Sequence, residues 1–424
     1  MSTFEVEVFQ NEYLPSGGID VNAVVTVSSA GFAGTGEAPD AAEIVIVDCS
    51  GSMNVPRSKM HAAREATAVA IDCIRDGVLF GVIAGNDKAR RVYPPGGGLE
   101  PASERSRTAA KQAAGKLRAG GGTAIGKWLA AANDAFAGAP GRVCHAILLT
   151  DGANEHETRE QLEATLAVCE GRFQCDCRGV GTDWEVSELR RIASVLLGSV
   201  DIIADPATMA TDFRAITEAA MGKTTGSVSL RVWTPQGARV RLVRQVAPTI
   251  EELTDRATAT TPLTADYPTG SWGEESRDYY VSIEVPPREA GDEMLAGRVG
   301  LLHGDDVLSQ GLIKAVWTSD QELSTRISKQ VAHYTGQAEL AECIQAGLEA
   351  RKAGDNATAT FKLGRAVQLA AQSGNEGTMK LLAAVVDVED PATGTVRLRN
   401  EITEVDEMAL DTRSTRTVRV GPGA

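Results

Sequence analysis

The sequence is poor in aromatic residues, in histidine and in positive charge. Aromatic side chains make up 4% of the 424 residues and five histidines are present, whereas hydrophobic residues reach 43%. The core must therefore be built mainly from aliphatic side chains. Lysine and arginine number 42 against 57 aspartates and glutamates, which gives a formal net charge of -15. Nucleic acids and anionic membrane surfaces repel a chain this acidic, so we expect neither as a partner.

The sequence also lacks long apolar runs, a signal-peptide pattern and paired cysteines. No apolar run is long enough to span a bilayer. The N-terminal stretch "MSTFEVEVFQNEY" carries acids where a signal peptide has a basic start and an apolar stretch. The seven cysteines are odd in number and most lie in apolar segments, which is typical of buried free thiols. Cys175 and Cys177 lack a second cysteine or histidine pair at zinc spacing, so we expect no zinc there. We expect a cytoplasmic protein.

Strands and helices alternate in the segment that we assign to one domain, residues 41–222. The runs "EIVIVD", "VLFGVIAG", "VCHAILLTDG" and "FQCDCRGVG" predict strands, and amphipathic stretches between them predict helices. Fully apolar strands that alternate with helices indicate a mostly parallel sheet covered on both faces. We therefore predict a doubly wound α/β domain.

Short alternating strands with turn residues between them fill residues 223–319, which is typical of a β-sandwich. Residues 1–40 contain two or three further strands followed by a Gly/Ala/Pro linker. These strands have too little mass to form a sheet alone, so we infer that they complete the sandwich and that the α/β domain is inserted into a β domain. The alternative is that they form an edge pair against the α/β domain.

The C-terminal part is predicted to be helical and then irregular. Residues 320–388 suit three or four short helices separated by glycines. Residues 389–424 are polar with few apolar anchors, so we predict a flexible tail. The whole chain is thus expected to be multidomain, combining α/β, all-β and α-helical parts.

Oxygen-bearing side chains follow the apolar strands of the α/β domain. The run "VIVDCSGSM" ends on Asp48 and continues with Ser50 and Ser52, "AGGGTAIG" presents Thr123, and "LLTDG" ends on Asp151. Ligands of open α/β sheets bind outside the carboxyl ends of the strands. Two carboxylates and three hydroxyls, without sulfur or imidazole, suit Mg²⁺, Mn²⁺ or Ca²⁺. Because three of these donors are neutral and the carboxylates would act partly through water, a bound dication would stay under-neutralised and attract a carboxylate from another molecule.

These motifs resemble a known binding site. D-x-S-x-S at 48–52, Gly-Gly-Thr at 121–123 and T-D-G at 150–152 are similar, in order and in placement, to the metal-ion-dependent adhesion site of von Willebrand factor type A domains. The resemblance covers roughly residues 41–222. It implies that the two serines and the threonine bind the metal directly or through water. It also implies that the two aspartates act directly or through bridging waters. The flanking sandwich and C-terminal helices resemble bacterial intracellular members.

The resemblance implies a non-enzymatic protein that binds a partner through the metal. We expect Mg²⁺ as the ion, although Mn²⁺ or Ca²⁺ would also fit, and a partner protein that supplies an Asp or Glu. Gly122, Gly152 and His156 are predicted to form the partner-binding rim. An assembly or regulatory role is expected, and an ATPase would be a fitting partner. A metal-dependent hydrolase using the same cation and a metal-free structural scaffold remain alternatives.

Two enzymatic readings have weaker support in the sequence. Residues 121–127 match the phosphate-binding pattern G-x-x-x-x-G-K, but Trp128 stands where magnesium binding needs Ser or Thr, and the segment before the glycines is predicted to be helical. A metal-dependent hydrolase would need a general base beside the ion. His156 lies five residues beyond Asp151, yet no consistent Ser/His/Asp arrangement accompanies it. We therefore predict no catalytic set.

The run "LDTRSTRTVRV" in the predicted tail places hydroxyl residues among arginines. One hypothesis is that Thr412, Thr415 or Thr417 is phosphorylated and then recognised by a phosphopeptide-binding partner. The alternative is an unmodified, solvated tail, which we favour because the run contains no specific motif.

Overall fold

The structure is a computed structural model that describes residues 3–31 and 40–420. The chain forms two compact units. One unit comprises Met1–Gly31, Val228–Thr269 and Glu274–Ala424, and the other comprises Phe32–Ser227 and Gly270–Gly273. In chain order, the second unit is therefore an insertion within the first.

The elements that follow are numbered in chain order. The strands are β1 (Thr3–Gln10), β2 (Tyr13–Pro15), β3 (Asp20–Ala30), β4 (Ala41–Asp48), β5 (Leu79–Gly85), β6 (Ala89–Tyr93), β7 (Glu100–Pro101), β8 (Val143–Thr150), β9 (Gln174–Val180), β10 (Val200–Ile203), β11 (Thr225–Trp233), β12 (Arg239–Ala247), β13 (Glu251–Glu252), β14 (Thr258–Thr261), β15 (Thr264–Trp272), β16 (Glu275–Glu284), β17 (Glu293–His303), β18 (Asp306–Thr318), β19 (Val386–Asp390) and β20 (Thr395–Leu398). The helices are α1 (Arg57–Cys73), α2 (Glu104–Ala114), α3 (Ile125–Phe136), α4 (Arg159–Cys169), α5 (Val186–Val195), α6 (Met209–Met221), α7 (Gln321–Ser324), α8 (Lys329–Lys352), α9 (Asn356–Gln372), α10 (Glu376–Val385) and α11 (Glu404–Arg413).

The inserted unit is a doubly wound α/β domain. Its sheet has the order β10-β9-β8-β4-β5-β6, with β7 pairing β5. Strands β10, β9, β8, β4 and β5 run parallel, and β6 and β7 are antiparallel to β5. Val45 and Val47 on one face and Ile44 and Ile46 on the other are all fully buried, as expected for a strand covered on both sides. The chain order reverses between β4 and β8, and this is where such sheets bind ligands.

The other unit contains a β-sandwich that the N-terminal strands complete. One sheet has the order β1-β3-β16-β12-β13, and the second has the order β14-β15-β11-β17-β18-β2. Strand β3 pairs with β16 over ten residues, and β2 runs parallel to β18. A side chain at Gly311 of β18 would collide with Val6 and Val8 of β1, so the two sheets face each other closely there. The N-terminal strands are therefore part of the sandwich and do not form a separate edge pair.

The helical segment differs from the sequence prediction in one respect. A single helix, α8, runs through Gly336, where we predicted a break between two short helices. One glycine inside a helix lowers its stability by about 1 kcal/mol, which tertiary packing readily offsets. Val331 and Tyr334 supply that packing on the N-terminal side, and Leu340 and Ile344 supply it on the C-terminal side.

The prediction of a flexible tail over 389–424 is wrong for residues 389–420, while the last four residues lie outside the described part of the chain. Strands β19 and β20 form a hairpin, and α11 follows it. Leu410 of α11 is fully buried in the helical core. The few apolar side chains of this segment are thus enough to anchor it.

The threonines considered for phosphorylation lie in this ordered segment. Thr412 is 1% exposed. The Thr415 carbonyl accepts the amide of Ile250 at 2.8 Å, and the Thr417 hydroxyl donates to the Val246 carbonyl at 2.6 Å. Phosphorylation of these residues stays a prediction, and at Thr412 it would require the segment to leave its packed position.

We expect opposite effects from alanine at two helical glycines. A side chain at Gly364 of α9 would collide with the carbonyl of Gly394 in the hairpin turn, whereas one at Gly336 of α8 would meet nothing within 4 Å. Gly364→Ala should lower the free energy of unfolding of this unit by about 1–3 kcal/mol. Gly336→Ala should raise it by about 0.5–1 kcal/mol because alanine is the better helix former. Urea unfolding of the matched pair tests this, and equal effects would contradict the packing of the hairpin against α9.

Candidate metal centre

Asp48 is the last residue of β4 and is fully buried. Its Oδ1 accepts the Ser50 amide at 2.7 Å, and its Oδ2 accepts the Thr150 hydroxyl at 2.6 Å. Within the described ranges no lysine or arginine pairs with this carboxylate. Burial raises the pKa of Asp48 to about 6, against the lowering effect of these two hydrogen bonds. A cation beside Asp48 would relieve the cost of its buried charge.

The hydroxyls form a continuous set with the second aspartate. The Oγ atoms of Ser50 and Ser52 lie 2.8 Å apart, and Ser52 donates to Asp151 Oδ1 at 2.6 Å. A Cβ at Gly152 would lie 3.3 Å from Ser52 Oγ and 3.6 Å from Thr123 Oγ1, so the third loop reaches the same place. No described residue hydrogen bonds to the Thr123 hydroxyl. The structure therefore brings together all five side chains predicted as metal ligands.

The loop that presents Thr123 is fixed by backbone hydrogen bonds to the end of β4. The Gly120 amide donates to the Cys49 carbonyl at 2.8 Å, and the Gly121 carbonyl accepts the Gly51 amide at 2.9 Å. Gly121 has φ +89°, and a Cβ there would lie 2.5 Å from an oxygen of Asp87. The left-handed backbone conformation therefore favours glycine at this position, and a larger residue would also have to displace the Asp87 carboxylate.

His156 holds the same loop from the other side. Its Nδ1 accepts the Thr123 amide at 3.2 Å, and its own amide donates to the Thr123 carbonyl at 2.9 Å. A side chain at Gly122 would overlap the His156 ring. Gly122, Gly152 and exposed His156 thus lie together at this edge, and their role as a partner-binding rim stays a prediction. Because Nδ1 is an acceptor, a proton on the neutral ring is on Nε2.

Two residues that were not predicted from the sequence act on the aspartates. Thr150 holds Asp48 through the hydrogen bond given above. Lys59 of α1 donates from Nζ to Asp151 Oδ2 at 2.8 Å and lies 3.7 Å from Asp183 Oδ2. Lys59 is 7% exposed and Asp151 is fully buried. A signal was present in the sequence, because Lys59 precedes the buried Ala63 by four residues and so lies on the inward face of the helix.

The donor set fits a hard divalent cation. Within the described part of the chain, no group of three or more His, Cys, Asp or Glu residues is placed to hold a metal. An ion here would therefore depend on two carboxylates, three hydroxyls and water. Oxygen donors that leave room for water suit Mg²⁺, and the absence of sulfur and imidazole from the set disfavours zinc.

The phosphate-binding reading of residues 121–127 fails on the structure. The first amides of α3 are already occupied, because Ile125 donates to Asn154 Oδ1 at 2.8 Å and Gly126 donates to Glu157 Oε1 at 2.6 Å. Lys127 Nζ donates to the carbonyl of Asp87 at 2.9 Å. The amides and the ammonium that would hold phosphate are engaged, and one of their partners is a carboxylate.

Two segments of the chain match family models. Residues 42–202 match the von Willebrand factor type A domain, and residues 368–414 match the von Willebrand factor type A C-terminal domain. The second match includes the hairpin and α11, which we had predicted to be flexible. Within the described ranges, none of the helices combines the length and apolar character needed to cross a bilayer.

Solved structures are similar to the whole chain. The structure of von Willebrand factor type A from Catenulispora acidiphila is 51% identical, covers 99% of this chain and 97% of its own, and superposes with a TM-score of 0.94. The ArnB paralog VWA2 from Sulfolobus acidocaldarius is 15% identical over 98% of each chain with a TM-score of 0.61, a likeness of fold alone.

A curated relative matches about half of the chain. An uncharacterized protein from Synechocystis sp. is 30% identical over 216 residues, which are 50% of this chain and 49% of the relative. The chain thus spans about half the length of that relative.

Proposed function

The chain belongs to the von Willebrand factor type A family, and from this premise we propose that it binds a partner protein through a divalent cation. The cation would be held by the five oxygen-bearing side chains of the centre: Asp48, Ser50, Ser52, Thr123 and Asp151. The partner would supply an Asp or Glu carboxylate to the ion. We propose Mg²⁺ as the ion, with Mn²⁺ or Ca²⁺ able to replace it.

The observation that carries this proposal is the meeting of three separate loops at the carboxyl edge of β4 and β8. Ser52 contacts Asp151 there, and Thr123 presents a hydroxyl without a protein partner in the described structure. Three members of the set are neutral and the two carboxylates would act partly through water, so an anion from outside would complete the neutralisation of a dication. The bound ion would supply an electrophilic point at the surface to which a carboxylate attaches.

No bond-breaking step is part of the proposal. The histidine at the site, His156, uses Nδ1 to hold the loop of Thr123. We propose that the protein acts in the cytoplasm as an assembly or regulatory subunit, with an ATPase as one class of partner. The acidic charge of the chain supports a protein partner over nucleic acid or membrane.

The test is a pull-down from lysate of the source organism, read by mass spectrometry. Wild-type protein with Mg²⁺ should retain a specific partner, and EDTA or Thr123→Val should lower its recovery at least about tenfold. Thr123→Ser is the matched control because it keeps the hydroxyl, and it should retain the partner. Capture that is indifferent to both EDTA and Thr123→Val would refute a metal-bridged interaction.

Asp48→Ala is a poorer variant for this test, because Asp48 is fully buried. Alanine at position 48 would leave the Ser50 amide without its acceptor, at a cost of about 1–3 kcal/mol, whereas the Thr150 hydroxyl could still donate to the Gly152 carbonyl. Thr123→Val removes an oxygen without this structural cost.

A further inference from the structure

We infer that the Lys59 ammonium balances part of the negative charge of the metal centre and so lowers its affinity for a dication when no partner carboxylate is bound. As a result, binding of the metal and binding of a partner carboxylate should each favour the other. The inference rests on the proposed function and concerns the regulation of that same site.

The ion pair between Lys59 and Asp151 is short and shielded from water. Nζ lies 2.8 Å from Asp151 Oδ2, and the two side chains are 9% and 0% exposed. The other oxygen, Oδ1, accepts the Ser52 hydroxyl. Salt screens a pair in this position far less than a surface pair. The charge of Asp151 is thus balanced by the protein itself before any metal arrives.

This pair changes the charge that a metal would meet. Asp48 and Asp151 bring two negative charges and Lys59 one positive charge, so the centre presents one net negative charge. A dication bound there would retain one positive charge inside a buried environment. A partner carboxylate removes that charge, so each ligand should raise the affinity for the other by the same factor.

Asp183 offers the ammonium a second carboxylate. It lies 3.7 Å from Lys59 Nζ and is 73% exposed. The backbone at Gly181, two residues before Asp183, also lies beside the ammonium, since a Cβ at Gly181 would be 3.7 Å from Nζ. The ammonium can therefore turn toward Asp183 when a cation approaches Asp151, without leaving the edge of the sheet. Asp183 is solvated, so its influence on the metal should be small.

The test compares Mn²⁺ binding, by calorimetry and electron paramagnetic resonance, to wild type, Lys59→Met, Lys59→Gln and Lys59→Arg. The two neutral variants should bind Mn²⁺ at least about tenfold more tightly, because a repulsive charge is removed from a poorly screened site. Lys59→Arg keeps the charge and should stay within about threefold of wild type, as should Asp183→Asn. Adding acetate as a carboxylate probe should tighten Mn²⁺ binding more in wild type than in the neutral variants.

Thermal unfolding with and without Mn²⁺ tests the inference even if a Lys59 variant is less stable than wild type. Lys59→Met leaves Asp151 with an unpaired buried charge, so without metal this variant should have a lower Tm than wild type. Added Mn²⁺ should raise its Tm by more than it raises that of wild type. The amide of Lys59→Gln can still donate to Asp151, which makes it the second neutral variant. If wild type binds Mn²⁺ and neither neutral variant binds it more tightly, the role of Lys59 is overturned while the proposed function stands. If none of these proteins binds a divalent cation, both are overturned.

Discussion

Asp48→Asn is expected to lower the affinity for Mg²⁺ by at least about a hundredfold, because it removes a charge on which the ion depends. Asp48 and Asp151 are the two carboxylates of the centre, and Lys59 already offsets the charge of Asp151. Asp48 therefore supplies the negative charge that remains. A neutral amide at position 48 would leave a dication facing hydroxyls and a carboxylate that is already paired.

Asparagine fits the structure at this position without metal. Its Oδ1 can accept the Ser50 amide, and its Nδ2 can donate to the Thr150 hydroxyl, with the loss of the long 3.4 Å hydrogen bond that Oδ2 accepts from the Asp151 amide. That hydroxyl can then donate to the Gly152 carbonyl, which lies 3.2 Å away. A neutral side chain also suits a fully buried position better than a carboxylate without a cation. The free energy of unfolding without metal should therefore stay within about 1 kcal/mol of wild type or rise.

Calorimetric titration with Mg²⁺ checks the affinity, and urea unfolding in EDTA checks the fold. Asp87→Asn is the matched control: Asp87 lies beside Gly121 at the same edge of the sheet but is outside the ligand set. We expect it to change the affinity by less than about threefold. An Asp48→Asn protein that binds Mg²⁺ as wild type does would place the ion elsewhere, and so would an equal loss in Asp87→Asn.

The fold class, the family and the meeting of five oxygen-bearing side chains at one edge of the sheet could be predicted because they depend on local patterns. An apolar strand that ends on a carboxylate is visible in the chain, and the carboxyl ends of parallel strands lie at one edge by topology. The family is confirmed by a solved relative that is 51% identical over nearly the whole chain. The fold class is confirmed by the sheets and helices of the structure.

The residues that were missed depend on pairings across the fold. Lys59 meets Asp151 across 92 positions of sequence, and Thr150 meets Asp48 across 102 positions. The inward face of α1 was a usable signal for Lys59, since an amphipathic pattern shows which side chains are buried. No pattern within the sequence indicates which carboxylate the ammonium meets.

The C-terminal segment was wrongly predicted to be flexible because its average composition does not show which single apolar residues are buried. Leu410 and Met408 are buried in α11, although the segment around them is polar. Gly394 has φ +72° and lies against Gly364, so the hairpin turn can approach α9 closely. A polar composition predicts disorder only where the segment makes no packing contacts with the rest of the fold. Here two glycines and a few apolar side chains provide such contacts.

His145→Leu is expected to lower the free energy of unfolding of the α/β unit by about 3–5 kcal/mol, because it leaves a buried charge without a partner. His145 of β8 lies between two carboxylates: its Nδ1 is 2.9 Å from Glu43 Oε1, and its Nε2 is 3.0 Å from Asp176 Oδ2. In the described part of the chain, the fully buried Glu43 carboxylate has no hydrogen bond to any residue but His145. Asp176 keeps the amide and hydroxyl of Ser199, each at 2.6 Å.

The double variant His145→Leu/Glu43→Leu separates the orphaned charge from the loss of packing. It removes the fully buried Glu43 carboxylate together with the ring, and Asp176 keeps its two hydrogen bonds from Ser199, so the double variant should recover most of the stability that His145→Leu loses. Urea unfolding of wild type, both single variants and the double variant gives the coupling energy. A double variant as unstable as His145→Leu would show that the volume of the ring, and not its charge, stabilises the sheet.

The pH dependence gives a second test of the same cluster. Burial lowers the pKa of His145, but the carboxylates of Glu43 and Asp176 outweigh it and raise that pKa to about 10. Because this lies above the ordinary value of 6.5, the stability that the charged ring contributes is complete below about pH 6.5 and is lost as the pH rises toward 10. The stability of wild type relative to the double variant should therefore fall over this range. A difference that stays constant would mean that the ring between the two carboxylates does not titrate there, and the cluster would then stabilise the sheet by hydrogen bonding without a gain from charge.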